Sequence, residues 1–483
     1  MERMDEYQKN VILPRIQKDF RHQNKDLVMM NRAYSIMLVE QGLLSKEDYR
    51  TINAGLDEVR DGMTEDDLDP ARPDLFFNQE AYLSRRIGEK VGCKLHVGRS
   101  RNDIYHTLFR MDIRKSIWGV FEELIRACEL ISDKVRENAD VIIPYYTYGQ
   151  PAEPGTWGHY LLAVYENMIR HMERLKASYR NVNRSAVGCA ACTGTSFPIN
   201  KYRVAELLGF EGLVEHTLDG TGSTDHFLEI ESVYAIINST LSKAACDMMF
   251  LSSAECGILS CDRSICSESS IMPQKKNSTV IERLRAMSAQ YPGHLMSTFM
   301  SAGSVSMFPV KDNHEHLFMF WDFYDILIAE LRMFALALER SEINWDKARE
   351  KTLEGFTTAA AMAEMLSAET GEPFVKTHDA VAEMVCQLYD RDELKIENMT
   401  GELLDAAASK IIGRTFGKTT EEIRQMMEPI ASLEAKRSGG TPKTEDTLAL
   451  LQKADEALAD NRRWLCEEKE RVLAAYRRTE RGI

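Results

Sequence analysis

Four long runs of apolar residues, each stepping by three and four along the chain, limit what this protein can fold into more than any other feature. Ile113, Ile117, Val120, Leu124, Ala127 and Ile131 form one run, and Trp157, Leu161, Val164, Met168, Met172 and Leu175 another. Ile230, Tyr234, Ile237, Leu241, Ala244, Met248 and Leu251 form the third, and Leu317, Trp321, Tyr324, Ile328, Leu331, Ala335 and Leu338 the fourth. Residues at this spacing share one face of an α-helix. Stripes sustained over so many turns predict long helices packed nearly parallel, a bundle spanning 104–355. No alternation of strand and helix patterns competes with it. Phe250, Phe323 and Leu327 lie beside the stripes and exceed what one bundle seam needs, so they are expected to face other subunits.

The chain is longer than one ordinary core, and 483 residues predict two or three domains. Residues 1–103 read as a mixed, mostly helical N-terminal unit and 356–483 as a small helical C-terminal unit around the bundle. Within the first unit Leu27–Leu44 reads as a helix, and Ser45-Lys-Glu-Asp48 has capping-box spacing into the next. Residues 61–75, with two prolines and six acids, read as an exposed loop. The charged tail from Lys453 is expected on the surface or against a neighbouring subunit.

A composition of 44% hydrophobic and 28% charged residues is that of a soluble globular protein. No apolar run reaches the length of a membrane span, and MERMDEYQKN is too polar for a secretory signal, so a cytoplasmic location is expected. A formal charge of −15 argues against a nucleic-acid partner and requires that any anionic substrate be drawn by local cations. The ten cysteines include a lone Cys189-x-x-Cys192 with no second ligand pair, so neither metal nor disulfide is expected.

The densest chemistry lies in Ser267–Arg285, SESSIMPQKKNSTVIERLR. Hydroxyls, two lysines and a carboxamide crowd Ser269–Asn277, and Thr279 to Glu282 has capping-box spacing into a helix. Pro273 favours a shaped loop. Such a segment is either a basic surface loop or a binding loop for an anion. A second polar turn, Val97–Asp103, offers Arg99 and Arg101 with Ser100 and Asn102, and arginine's planar fork suits carboxylates. His314 and His316 stand two apart, which on a helix points them away from each other and away from a shared metal. His159 sits in a helical stripe and reads as a satisfied buried histidine rather than a catalyst.

These segments carry a family resemblance. SSIMPQKKN resembles the signature loop of the fumarase/aspartase superfamily, and its Gln-Lys-Lys form resembles argininosuccinate lyase. KLHVGRSRND resembles the family's first conserved block and PYYTYGQPAEP its second, while GTSFPINKYRVAELL and GFEGLVEHTLD are also similar to lyase sequence. The resemblance implies an all-α, three-domain fold with a long central bundle, a homotetramer whose active sites are shared between subunits, and no cofactor. It implies β-elimination on an N-substituted aspartate, releasing fumarate and an amine. On that basis Ser269 is the base, and Lys275 and Asn277 stabilise the aci-carboxylate intermediate. Ser100, Arg101, Asn102, Thr147 and Gln150 hold the small dicarboxylate substrate.

Several positions depart from the pattern. Tyr148 stands where the family has a histidine that is a favoured proton donor, and Glu268 replaces a glycine before the base. Phe76 replaces a second histidine. Lys311, Asp312 and Glu315 keep the pattern, but Pro309, His314 and Leu317 stand where contacts to the arginine moiety are expected, with His314 facing the substrate. The fumarate end is expected to be kept and the amine end rebuilt. Argininosuccinate itself, or a catalytically silent homologue, are the rival readings.

Overall fold

A computed structural model describes residues 2–303, 305–310, 315 and 317–483. In chain order the elements that matter are α1 (Leu13–Glu40), α2 (Leu75–Ile87) and α3 (Arg101–Glu137), then the hairpin strands β1 (Ile142–Thr147) and β2 (Gln150–Thr156). They are followed by α4 (Trp157–Val182), α5 (Asp225–Leu251), β3 (Leu259–Cys261), β4 (Ser267–Glu268) and β5 (Lys276–Asn277). The chain continues with α6 (Thr279–Ser288), α7 (Tyr291–Gly303), α8 (Leu317–Glu339), β6 (Ser341–Ile343) and α9 (Thr444–Arg481). The fold is all-α with four two-stranded sheets among the described residues.

The first three stripes are the buried seams of α3, α4 and α5, with every residue named for them in the core. Each such side chain contributes roughly 1.5–3 kcal/mol on burial, which is why the helices hold together against weak intrinsic propensity. The fourth stripe is rotated. On α8 the residues that turn inward are Phe320, Leu327, Leu331, Phe334, Ala337 and Leu338, while Trp321, Tyr324, Ile328 and Ala335 are only partly covered. Leu327 is therefore not an outward-facing residue, because α8 lies against both α3 and α5 and needs a wider apolar face than one seam. Gly119 lets α8 approach α3, since a Cβ there would fall 2.1 Å from the Tyr324 hydroxyl. Phe250 does remain exposed, as do Ile236, Met296, Phe299, Met300, Met319 and Leu336 on α5, α7 and α8.

Helices α3, α5 and α8 run parallel. Arg110 meets His226, Ser116 meets Tyr234, Arg332 meets Glu123 and Asn238 meets Glu330, so positions advance together along all three. Helices α6 and α7 return antiparallel along α5, with His294 Nε2 2.8 Å from the buried carboxylate of Glu231.

The C-terminal region divides differently from the single unit expected. Residues from Phe356 to Met427 form a second, separate apolar core. Helix α9 instead rejoins the first core through Leu451, Leu458, Leu465 and Val472. The reason is polar as well as apolar. Arg114, wholly buried on α3, donates to Tyr476, Asn183 and the carbonyls of Leu208 and Gly209, and Asp455 accepts from Ser132 and Tyr165. Those bonds dock a helix whose composition alone reads as surface. No helix among the described residues is long and apolar enough to cross a membrane.

Candidate active site

Helix α3 begins at the Arg-Asn turn because Ser100 caps it. The Ser100 hydroxyl accepts from the Asn102 N–H, and Asp103 accepts from the Ser100 N–H, closing a capping box. Asp103 also accepts from the N–H groups of Gly188 and Ala190, which ties the 188–190 turn to the helix start. Burial pushes its carboxyl up to about 6. The two arginines of the turn have separate fates. Arg99 is buried, donates to Asn31 Oδ1 at 2.7 Å and lies over the rings of Tyr34 and Phe76. Arg101 reaches a cavity of about 210 Å³ lined also by Arg15, Asp19, Pro73, Asp74, Asn102, Tyr105, Pro309 and Val310.

Asp74 fixes Arg101. One carboxylate oxygen caps α2 by accepting from the Phe77 N–H at 3.1 Å, and the other accepts from Arg101 Nη1 at 3.1 Å. The 61–75 segment is thus more than an exposed loop, since its last acid is buried and orients a site arginine. Asn102 Nδ2 donates to the Ala191 carbonyl at 2.9 Å. Ser100, expected in the carboxylate grip, has its hydroxyl oxygen engaged as the cap. Phe76, expected to make the cavity aromatic, is buried against His96 and Arg99; Tyr105 is the aromatic residue that lines it. The spacing of Arg101, Asn102 and Tyr105 on one helix face was the signal for Tyr105. For Arg15 and Asp19, contributed by another segment, no local signal exists. Lys311, Asp312, His314 and His316 lie outside the described residues; Pro309 is a cavity wall, and Glu315 pairs with Arg15.

Ser269 lies at the other end of the bundle. The two-residue strands β4 and β5 pair antiparallel, with Ser267 opposite Asn277 and Glu268 opposite Lys276, and the loop from Ser269 to Lys275 projects beyond them. Glu268 is exposed and stands opposite Lys276 in the strand pairing. Thr279 is not a cap: helix α6 starts there after Ser278, and the Thr279 hydroxyl bonds to Ser267 instead. The paired lysines also separate. Lys276 donates to the Cys261 carbonyl and anchors the loop to β3, whereas Lys275, among the described residues, bonds through its N–H to the Met272 carbonyl. Ser269 Oγ accepts from the Met272 N–H at 3.1 Å, with the Ile271 N–H at 3.5 Å. Those donors stabilise a negative oxygen, the state a serine must reach to act as a base.

The third segment is the tip of the β1–β2 hairpin. Tyr148 and Gly149 have φ of 54° and 76°, the two positive values of a type I′ turn, and Thr147, Tyr148, Gly149 and Gln150 are all exposed. The hairpin leaves the C-terminal end of α3, and Tyr146 packs on Phe250 at the end of α5. Ser278, next to the Ser269 loop, bonds to Ser252 just beyond α5. The hairpin and the Ser269 loop therefore sit at the end of the bundle opposite Arg101. Because α5 has 27 residues at ~1.5 Å rise each, the separation within one chain is roughly 40 Å. One chain brings together Arg101 and Asn102, and separately Ser269, Lys275 and Asn277, but not the two groups. His159 is hydrogen-bonded as expected, between Tyr145 and the Gly440 carbonyl, but it is half-buried rather than buried. Among the described residues no cluster of three or more His, Cys, Asp or Glu side chains is placed to hold a metal ion, and all ten cysteines are free thiols.

This long-helix architecture is the fold of the fumarase/aspartase-like lyases. A class II fumarase from Schistosoma mansoni superposes with a TM-score of 0.73 at 18% identity, over 88% of this chain and 94% of that one. An EDDS lyase variant with bound fumarate superposes with a TM-score of 0.86 at 27% identity, over 96% of this chain and 91% of that one. Residues 5–293 match the Lyase family, and the argininosuccinate lyase of Methanocaldococcus jannaschii is 32% identical over 420 residues, 87% of this chain and 85% of that protein. The chain belongs to the argininosuccinate lyase family and is a carbon–nitrogen lyase.

Proposed function

We propose that the chain splits an N-substituted aspartate into fumarate and an amine-type product, or runs the reverse addition, as a homotetramer whose sites draw on several chains. Ser269 Oγ removes the proton from the carbon next to a carboxylate. Lys275 and Asn277 stabilise the aci-carboxylate that forms, while Arg101, Asn102 and Thr147 hold the carboxylates. The C–N bond then breaks, and the leaving nitrogen takes up a proton, with Tyr148 the candidate donor. Preorganised cations and N–H groups aimed at that developing charge supply most of the rate in such chemistry.

The observation that carries this proposal is the Ser269–Lys275 loop. The base oxygen already faces two backbone N–H groups, and one lysine is spent on anchoring while its neighbour is left to meet a ligand. The separation of roughly 40 Å between Arg101 and Ser269 supports a shared site, because antiparallel packing of two bundles brings opposite ends together. The exposed apolar residues of α5, α7 and α8 supply a surface for that packing. Argininosuccinate is not the preferred substrate in this proposal, since the proline at 309 offers no side-chain hydrogen bond to a guanidinium.

The test is a screen of fumarate with many amines, and of argininosuccinate, followed by fumarate absorbance. Loss of fumarate with particular amines is the expected result. No turnover with any partner, in either direction, would mark a catalytically silent homologue.

A further inference from the structure

Glu330, on the inward face of α8, is wholly buried in the bundle, joins no ion pair among the described residues and has no part in the proposed chemistry. Its Oε2 accepts from Nδ2 of Asn238 on α5, which is also wholly buried. Its Oε1 has no hydrogen-bond partner, and neither has Asn238 Oδ1. The two orphan oxygens thus belong to the two groups that this one bond already joins. Ser288 on α6 lies beside the carboxyl, but its hydroxyl proton goes to the Leu284 carbonyl, so its oxygen is left as an acceptor. Of the titratable groups on the packed helices, Tyr291 on α7 is near Glu330, and its buried hydroxyl makes no hydrogen bond to it. Glu231 and Tyr234 of α5 lie around Tyr291, and His294 is committed to Glu231. Arg332, two residues further along α8 and so turned away, pairs with Glu123 of α3. The charged residues of α6, Glu282, Arg283 and Arg285, are exposed.

We infer that Glu330 is a neutral carboxylic acid in the folded bundle, donating its proton from Oε1 to the Asn238 carboxamide oxygen, and that this pair is a pH-sensitive latch between α5 and α8. An ionised carboxylate only accepts, so it would leave two buried oxygens unanswered, and a buried charge without a cation is costly besides. A carboxylic acid carries one donor and one acceptor, the complement of a primary amide, and a single proton satisfies both oxygens. Burial acts in the same direction. It is the largest influence on the carboxyl and pushes it from the ordinary 4.5 up to about 7, although the hydrogen bonds from Ser288 and Asn238 favour the anion. The sign follows from the raised value: the latch contributes fully below about pH 4.5, where folded and unfolded chains both hold the proton. Its contribution is lost as pH rises through about 7. Above that, repulsion between two oxygens replaces the second hydrogen bond.

The experiment compares the full-length protein with Glu330→Gln, whose amide offers the same donor and acceptor at every pH. Denaturant midpoints of both are followed from about pH 5 to about pH 9. The folded-to-unfolded ratio of the parent is expected to fall, relative to that of the variant, by on the order of a hundredfold over this range, with most of the fall complete by about pH 8. Asp103 and Asp112, whose carboxyls burial also raises, are present in both chains and drop out of the comparison. The infrared difference between parent and variant in heavy water is expected to show the carbonyl stretch of a neutral carboxylic acid at the acid end of the range and its loss at the alkaline end. A gap between the two midpoints that is the same at every pH overturns the inference, as does a carboxylate band in the difference spectrum at the acid end. A Glu330→Gln chain that does not fold where the parent does overturns it too, because an amide in place of a neutral acid keeps both hydrogen bonds.

Discussion

The two ends of the helix bundle are built on different principles. At the Arg101 end the groups that shape the helix start are paired within their own chain: Ser100 caps, Asp103 gathers three backbone N–H groups, and Asp74 holds the arginine. A formed cavity results. At the Ser269 end two short strands support a loop whose reactive groups face outward, and the neighbouring hairpin ends in four exposed residues. Substrate binding can be preorganised in a single chain because it needs only a fixed cavity. In the proposed reaction the base and Lys275 enter a dry site and leave it, which would suit a loop completed by another subunit.

The largest consequence concerns the open end. Ser269→Ala is expected to lower kcat on the order of 10³-fold or more, with helix content and assembly unchanged, as removal of a general base does. Near-parental turnover by a folded Ser269→Ala protein sinks the assignment. Next come the cations. Lys275→Met and Arg101→Met are each expected to cost roughly 2–4 kcal/mol of transition-state stabilisation. Lys276→Met, by contrast, should act through loop stability, so its loss is expected to shrink at lower temperature while that of Lys275→Met persists. Equal temperature dependence for both would mean that the lysines are not divided as described.

A third expectation sharpens the contrast between the fumarate and amine halves of the substrate. On the proposed reading, kcat/KM for argininosuccinate is expected to fall at least about tenfold below that of the best simpler N-substituted aspartate, because proline and leucine at 309 and 317 carry no side-chain hydrogen-bonding group for a guanidinium. Argininosuccinate ahead by a wide margin would show that the departures at Pro309 and Leu317 are silent. The last expectation belongs to the closed end and is read in stability rather than in rate. Asp103→Ala leaves three N–H groups without their acceptor and is expected to cost about 2–4 kcal/mol of stability, read from denaturant midpoints. A change below a few tenths of a kcal/mol would mean that water replaces the carboxylate there.

Much of this was legible in the chain. The stripes of α3, α4 and α5 predict the buried faces residue by residue, because a helix in a bundle has little freedom in which side it buries. The cap at Ser45 is an equally local signal and it forms, whereas Ser100, read as a substrate contact, is the cap of α3. What local pattern does not decide is the division of labour within a pair. Arg99 and Arg101, or Lys275 and Lys276, look interchangeable until Asn31 and the Cys261 carbonyl claim one of each. Thr279 illustrates the same limit: its spacing to Glu282 fits a cap, but Ser267, brought across by the β4–β5 pairing, takes its hydroxyl. Helix α9 reads as a charged surface helix because Arg114, the residue that docks it, lies far away in the chain. The cavity acid Asp19 is invisible for that reason too.

The division of one site between opposite ends of different bundles is tested by subunit mixing. Arg101→Met and Ser269→Ala proteins, each inactive alone, are dissociated, combined and reassembled, with exchange verified by native mass spectrometry. Sites that receive an intact Arg101 from one chain and an intact Ser269 from another are expected to restore part of the parental activity. Verified mixed assemblies that stay as inactive as either variant alone would contradict a shared site and require each chain to bring its two ends together by itself.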